Sequence, residues 1–188
     1  MAYKRGVRSF CHTWSMQYKK STLDRTDSLP SLKGLTLFIT GGNRGIGLAT
    51  AMLAAKDGAN IVVAAKTTEP HPKLPETIFT AADKLSQAGG NVLAIKTDIR
   101  DEDSVKNAIA KAVDEFGGID ILVNNASALS ILGTEHITMK AYDLSYGVTV
   151  RGTFMVTKYC IPHLLKSSHP HMLTMAPPLT KDPNSIKN

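Results

Sequence analysis

Thr40-Gly41-Gly42-Asn43-Arg44-Gly45-Ile46-Gly47 constrains this chain more than any other stretch. It directly follows an apolar run, Leu35 to Ile39, and opens into an alanine-rich segment suited to a helix. A strand that feeds a glycine turn and then a helix is how a chain holds a dinucleotide pyrophosphate. The glycines let the backbone bend tightly and approach the phosphates. The helix start supplies free N–H groups and the positive end of a dipole. Thr40, Gly41, Asn43, Arg44, Gly45, Ile46 and Gly47 are therefore candidate binding residues.

From Leu35 onward the pattern alternates strand and helix. Strands are predicted at Leu35–Thr40, Asn60–Ala65, Asn91–Lys96, Ile119–Val123 and His171–Met175. Helices are predicted at Gly45–Asp57, Glu76–Ala88, Asp101–Phe116 and Ala141–Leu165. Gly58 and Gly89-Gly90 stop the first two helices. Pro70, Pro72 and Pro75 make the segment between them a loop. Asp101, Glu102 and Asp103 suit the start of the third helix, where the dipole favours negative charge. Gly147-Val148-Thr149-Val150, midway along the last helix, is poor helix-forming material that tertiary packing must hold. Such alternation implies βαβ units: an α/β, doubly wound parallel sheet of order 3-2-1-4-5, a Rossmann fold.

The 188 residues suit one folding domain with a sizeable core. The net charge of +6 does not point to nucleic acid, because it is unevenly spread. Residues 1–33 hold seven Lys/Arg and two acids, whereas the remainder holds 15 basic and 14 acidic residues. No apolar run approaches the roughly 18–20 residues that cross a bilayer. Cys11 and Cys160 lie far apart, and the pair His169 and His171 is split by Pro170 with no acid near, so no metal site is expected. Two lone cysteines favour an intracellular, reducing compartment. Residues 1–31 are basic, hydroxyl-rich and free of acids before Asp24, with Val7, Phe10, Trp14 and Tyr18 at helical spacing. This suits a mitochondrial transit peptide, or a leader with no function. The expected division is leader 1–31, dinucleotide-binding domain 32–179 and loose tail 180–188.

Three features fall where a nucleotide would need them. Lys66 ends the second strand, where a site preferring NAD places Asp or Glu on the ribose 2′-hydroxyl. Lys66 and Arg44 together suit a 2′-phosphate, which favours NADP; the alternative is a solvated lysine at a strand end. Asp98 follows the third strand and either accepts from the adenine amino group or caps the next helix. Asn124-Asn125-Ala126-Ser127 follows the fourth strand, where asparagine amides can tie the sheet to the glycine turn. Asn125 and Ala126 complete the candidate set.

Taken together, the glycine turn, Asp98 and Asn124 to Ser127 resemble the motif set of the short-chain dehydrogenase/reductase family. The resemblance covers about Leu32 to Leu179. The stretches Ala54 to Val62, Ala64 to Thr67 with Pro70 to Lys73, and Phe116 to Ser127 are similar to a branch resident in peroxisomes and mitochondria. That likeness implies an NADP-linked oxidoreductase acting on a carbonyl or hydroxyl of a lipid-like substrate. It also implies a sterol-carrier domain, which these 188 residues do not contain.

The resemblance further implies a catalytic set of Asn, Ser, Tyr and Lys. No Tyr-x-x-x-Lys occurs in this sequence; by the family pattern it falls just beyond residue 188. Ala176 stands at the serine position and Thr149 at the asparagine position. No catalytic residue is therefore assigned. The expectation is a sheet incomplete on its C-terminal side and a chain with little or no turnover. It would be either a shortened enzyme or a non-catalytic relative that binds NADP or a partner, including a second copy through helix 141–165. The methionines Met139, Met155, Met172 and Met175 read as core filling.

Overall fold

The computed structural model describes residues 31–72, 75–130 and 132–176. The leader up to residue 30 and the tail 180–188 lie outside the described residues. Five strands form one parallel sheet: β1 (Thr36–Thr40), β2 (Asn60–Ala65), β3 (Asn91–Lys96), β4 (Ile121–Asn124) and β5 (His171–Thr174). Their order is β3-β2-β1-β4-β5, as the alternating pattern required. The helices are α1 (Gly45–Lys56), α2 (Ile78–Gln87), α3 (Glu102–Phe116), α4 (Met139–Ser145) and α5 (Thr153–Leu164).

Successive strand residues point to opposite faces, and both faces are covered. Phe38, Val62, Ala64 and Leu122 pack against Val105, Ala108 and Ile109 of α3 and Met155, Val156 and Cys160 of α5. Leu37, Ile39, Ile61, Val63 and Val123 pack against Ala51, Ala54 and Ala55 of α1 and Ile78 and Leu85 of α2. Alanines on α1 let it lie close to the sheet, which sets its first turn beside the strand ends. Burial pushes the Cys160 thiol up to about 12, so it is a core residue without thiolate chemistry.

Several boundaries move for identifiable reasons. The third helix begins at Glu102 because Asp101 is its N-cap, accepting from the N–H of Asp103 and Ser104. Helix α2 begins at Ile78 because Thr77 and Thr80 form a reciprocal capping box. Ile119 is buried but pairs with no strand, so β4 starts at Ile121 and runs on to Asn124. The long helix starts earlier, at Met139, behind its cap Thr138. Its glycine-containing middle, Tyr146–Gly152, is wound as a π-helix between α4 and α5. Only Met155 of the four methionines fills the core; Met139, Met172 and Met175 are exposed. Strand β5 is exposed at every position, because no described element lies beyond it.

Candidate functional site: a nucleotide cleft at the strand ends

The carboxyl ends of β1, β2, β3 and β4 open into a cleft of about 410 Å³. Gly41, Asn43, Arg44, Ile46, Gly47, Lys66, Asp98, Asn125 and Ala126 all line it. Thr40 stands just behind this wall and builds it. Its Oγ1, buried, accepts from the backbone N–H of Asn125 at 3.0 Å and of Ala126 at 3.0 Å. The Asn125 side-chain amide returns across the gap, donating to the Thr40 carbonyl at 3.0 Å and the Gly41 carbonyl at 2.9 Å. The end of β4 is thus cross-linked to the glycine turn, and the bend is fixed before any ligand arrives. Gly45 holds φ +55°, a conformation that side chains rarely adopt.

Helix α1 differs from the helices around it. Thr77, Asp101 and Thr138 cap α2, α3 and α4 with side-chain oxygens. Arg44 at the N-cap of α1 accepts no such bond, and no acid lies in the first turn. The N–H groups of that turn therefore face the cleft without an internal acceptor, and a diphosphate supplies one. Arg44 is exposed and, among the described residues, makes no ion pair. These donors, with the glycine cradle beneath them, fit a pyrophosphate.

Asn43 takes a different role from its neighbours in the turn. Its side chain is buried and donates to the Glu76 carbonyl at 3.3 Å, holding the loop that leads into α2. Asp98 does not cap α3, since Asp101 does. Its Oδ1 accepts from the Arg100 backbone N–H at 3.1 Å and from Nε at 2.9 Å; Oδ2 accepts from Nη2 at 2.6 Å. Lys66 Nζ lies 3.1 Å from the same Oδ2. The Arg100 guanidinium, above all, holds the Asp98 carboxyl well below the usual carboxylate range, against a smaller opposing effect of burial. Lys66 therefore follows its strand in an ion pair with Asp98, its side chain still largely exposed.

Reading the sequence missed Arg100, which lines the cleft beside Asp98. The signal was present in Asp98-Ile99-Arg100, where an aspartate can bond two residues onward in a turn. The far wall comes from the π-helical segment and α4, through Val148 and Leu144. Thr149 Oγ1 accepts from the Ala128 N–H at 3.2 Å and donates to the Ala128 carbonyl at 3.3 Å. It braces the loop after β4. Ala176 is exposed, two residues beyond the end of β5.

The sequence pattern of the family described as short chain dehydrogenase matches residues 35–184. Hydroxysteroid dehydrogenase-like protein 2 of Danio rerio is 55% identical over 157 residues, which is 84% of this chain and 38% of that protein. The Homo sapiens protein of the same name is 53% identical over 152 residues, 81% of this chain and 36% of its own length. The chain thus spans well under half the length of the curated relatives it matches. Among solved structures, a putative dehydrogenase from Xanthomonas campestris is 54% identical, with a TM-score of 0.78, covering 82% of this chain and 57% of that one. NADH-dependent reductase A1-R′, solved in complex with NAD, is 30% identical with a TM-score of 0.64, covering 76% and 59%. With the fold, the glycine turn and the sequence pattern in agreement, the chain belongs to the short-chain dehydrogenase/reductase family, oxidoreductases whose cofactor is a nicotinamide dinucleotide.

Proposed function

We propose that the cleft takes NADP in preference to NAD, and that the whole protein moves hydride to or from a carbonyl or hydroxyl of a lipid-like substrate. The observation that carries the cofactor choice is the end of β2. Lys66 stands there in place of an acid, and Arg44 lines the same cleft. Two cations suit a phosphomonoester carrying about −1.5 to −2 charges. NADP would lie with its pyrophosphate on the first turn of α1 and its adenine near Asp98. Bound there, it supplies the hydride chemistry; the residues of this chain bind and orient it.

Calorimetric titration tests this directly. The chain should bind NADPH more tightly than NADH by at least about tenfold, roughly 1.4 kcal/mol. Equal affinity, or a preference for NADH, overturns the NADP reading.

The 188 residues on their own are proposed to turn over slowly or not at all. A positioned acid/base contributes about 10²–10⁴-fold, and no Tyr-x-x-x-Lys is present. Ala176 and Thr149 favour a second reading, a binding relative without catalysis. Its surface for a second copy would be the helical stretch 141–165, where Tyr142, Tyr146, Val150 and Phe154 are exposed. We also propose mitochondrial or peroxisomal residence, on the composition of residues 1–31 and the branch likeness. A fluorescent protein fused behind residues 1–31 should enter mitochondria if the leader is a transit peptide. Diffuse fluorescence would remove that support.

A further inference from the structure

Asp98 faces two cations, and it holds them unequally. Arg100 grips it through a fork, Nε on one oxygen and Nη2 on the other, reinforced by its own backbone N–H. Lys66 makes one contact, at 3.1 Å, from a side chain that is 65% exposed. A planar guanidinium paired in this way stays in place; an ammonium on a flexible stem is the partner that can leave. The Arg100 backbone is itself pinned, because Arg151 Nη1 donates to its carbonyl at 2.6 Å from the π-helical segment.

This arrangement bears on the phosphate that Lys66 is proposed to meet. An ammonium held by a carboxylate is largely neutralised where a phosphate needs its charge. An uncompensated carboxylate a few ångströms away would also repel that phosphate. The trio of Lys66, Asp98 and Arg100 carries a net charge of +1; without Arg100 it carries none. We infer that Arg100 sets the cofactor preference, by occupying the Asp98 carboxylate so that Lys66 is released to a 2′-phosphate. Arg100 is a positioning residue here: it acts through Asp98 and Lys66 and need not touch the phosphate. The inference rests on the NADP reading above and deepens it. It explains how a carboxylate suited to the adenine amino group coexists with a phosphate site.

The test is titration calorimetry on the full 188-residue chain with NADPH and with NADH. Arg100→Met should weaken NADPH by about tenfold and leave NADH within about twofold, since only NADPH calls on the freed lysine. Adding Asp98→Asn to that variant should restore NADPH binding to within about threefold of the unaltered chain. The asparagine oxygen still accepts from adenine, but no longer holds Lys66. If Arg100→Met fails to fold, Arg100→Lys keeps the charge, loses the fork and should show the same selective loss, smaller in size. Equal weakening of both cofactors, or no recovery with Asp98→Asn, overturns the inference while the NADP reading stands. An unaltered chain that binds both cofactors equally overturns the NADP reading and this inference with it.

Discussion

Replacing Gly47 by alanine should abolish useful binding of either nicotinamide dinucleotide. A Cβ at this position would lie 2.5 Å from Asn125 Nδ2 and 2.5 Å from the Gly41 carbonyl oxygen. Those two atoms are bonded to each other, so the methyl would enter the lock between β4 and the glycine turn. Neither can yield cheaply: Gly41 is backbone, and the Asn125 amide is held on two carbonyls. Relief requires the turn to open or the first turn of α1 to shift, and both move the N–H groups off the pyrophosphate. Overpacking of this kind costs about 1–3 kcal/mol, and near the upper end that is about a 100-fold loss of affinity. Titration of both NADPH and NADH reads it, and both should weaken together. Gly118→Ala serves as the comparison, because a Cβ there meets nothing within 4 Å. Normal binding by Gly47→Ala would mean that the pyrophosphate does not sit on this bend.

The second large effect is on stability. Thr40→Val keeps the volume of a buried side chain but removes the acceptor for two backbone N–H groups, those of Asn125 and Ala126. Both would lose the acceptor that the structure gives them. A donor left without a partner costs about 1–3 kcal/mol, so a total near 3 kcal/mol is expected. For a domain of this size, that lowers the melting temperature by roughly 6–12 °C. Thr40→Ser keeps the oxygen and should recover most of the difference. Thermal unfolding followed by circular dichroism decides; a valine variant as stable as the parent would show that these N–H groups find other partners. Cofactor affinity should fall with stability in the valine variant, because the same hydroxyl holds the wall of the cleft.

Much of this was legible in the residues, and the reason differs by element. The strands announced themselves because a parallel sheet buried on both faces needs unbroken apolar runs, such as Ile61 to Ala65. The glycine turn was legible because so few residue types tolerate its geometry. The side-chain pairings within the cleft were not. Asn43 sits in the binding turn by sequence, yet its amide is turned to Glu76, a partner 33 positions away that no local pattern reveals. Arg100 became visible only when the loop after β3 curled it back on Asp98. The exposed methionines show a further limit. Periodicity tells which face of an element is apolar, but not whether anything covers that face. Met172 and Met175 lie in and just after β5, the outermost described strand.

The wide winding of residues 146–152 has a consequence for the chain on either side of it. Each residue of a π-helix turns through less than the roughly 100° of an ordinary helix, so the seven residues there set the rotational phase between α4 and α5. With that phase, α4 brings Leu144 to the cleft while α5 delivers Met155, Val156 and Cys160 to the sheet. Removing one residue between 146 and 152 would let the widened turn close toward ordinary helix, whereas adding one would have to widen it further or rotate α5 against the sheet.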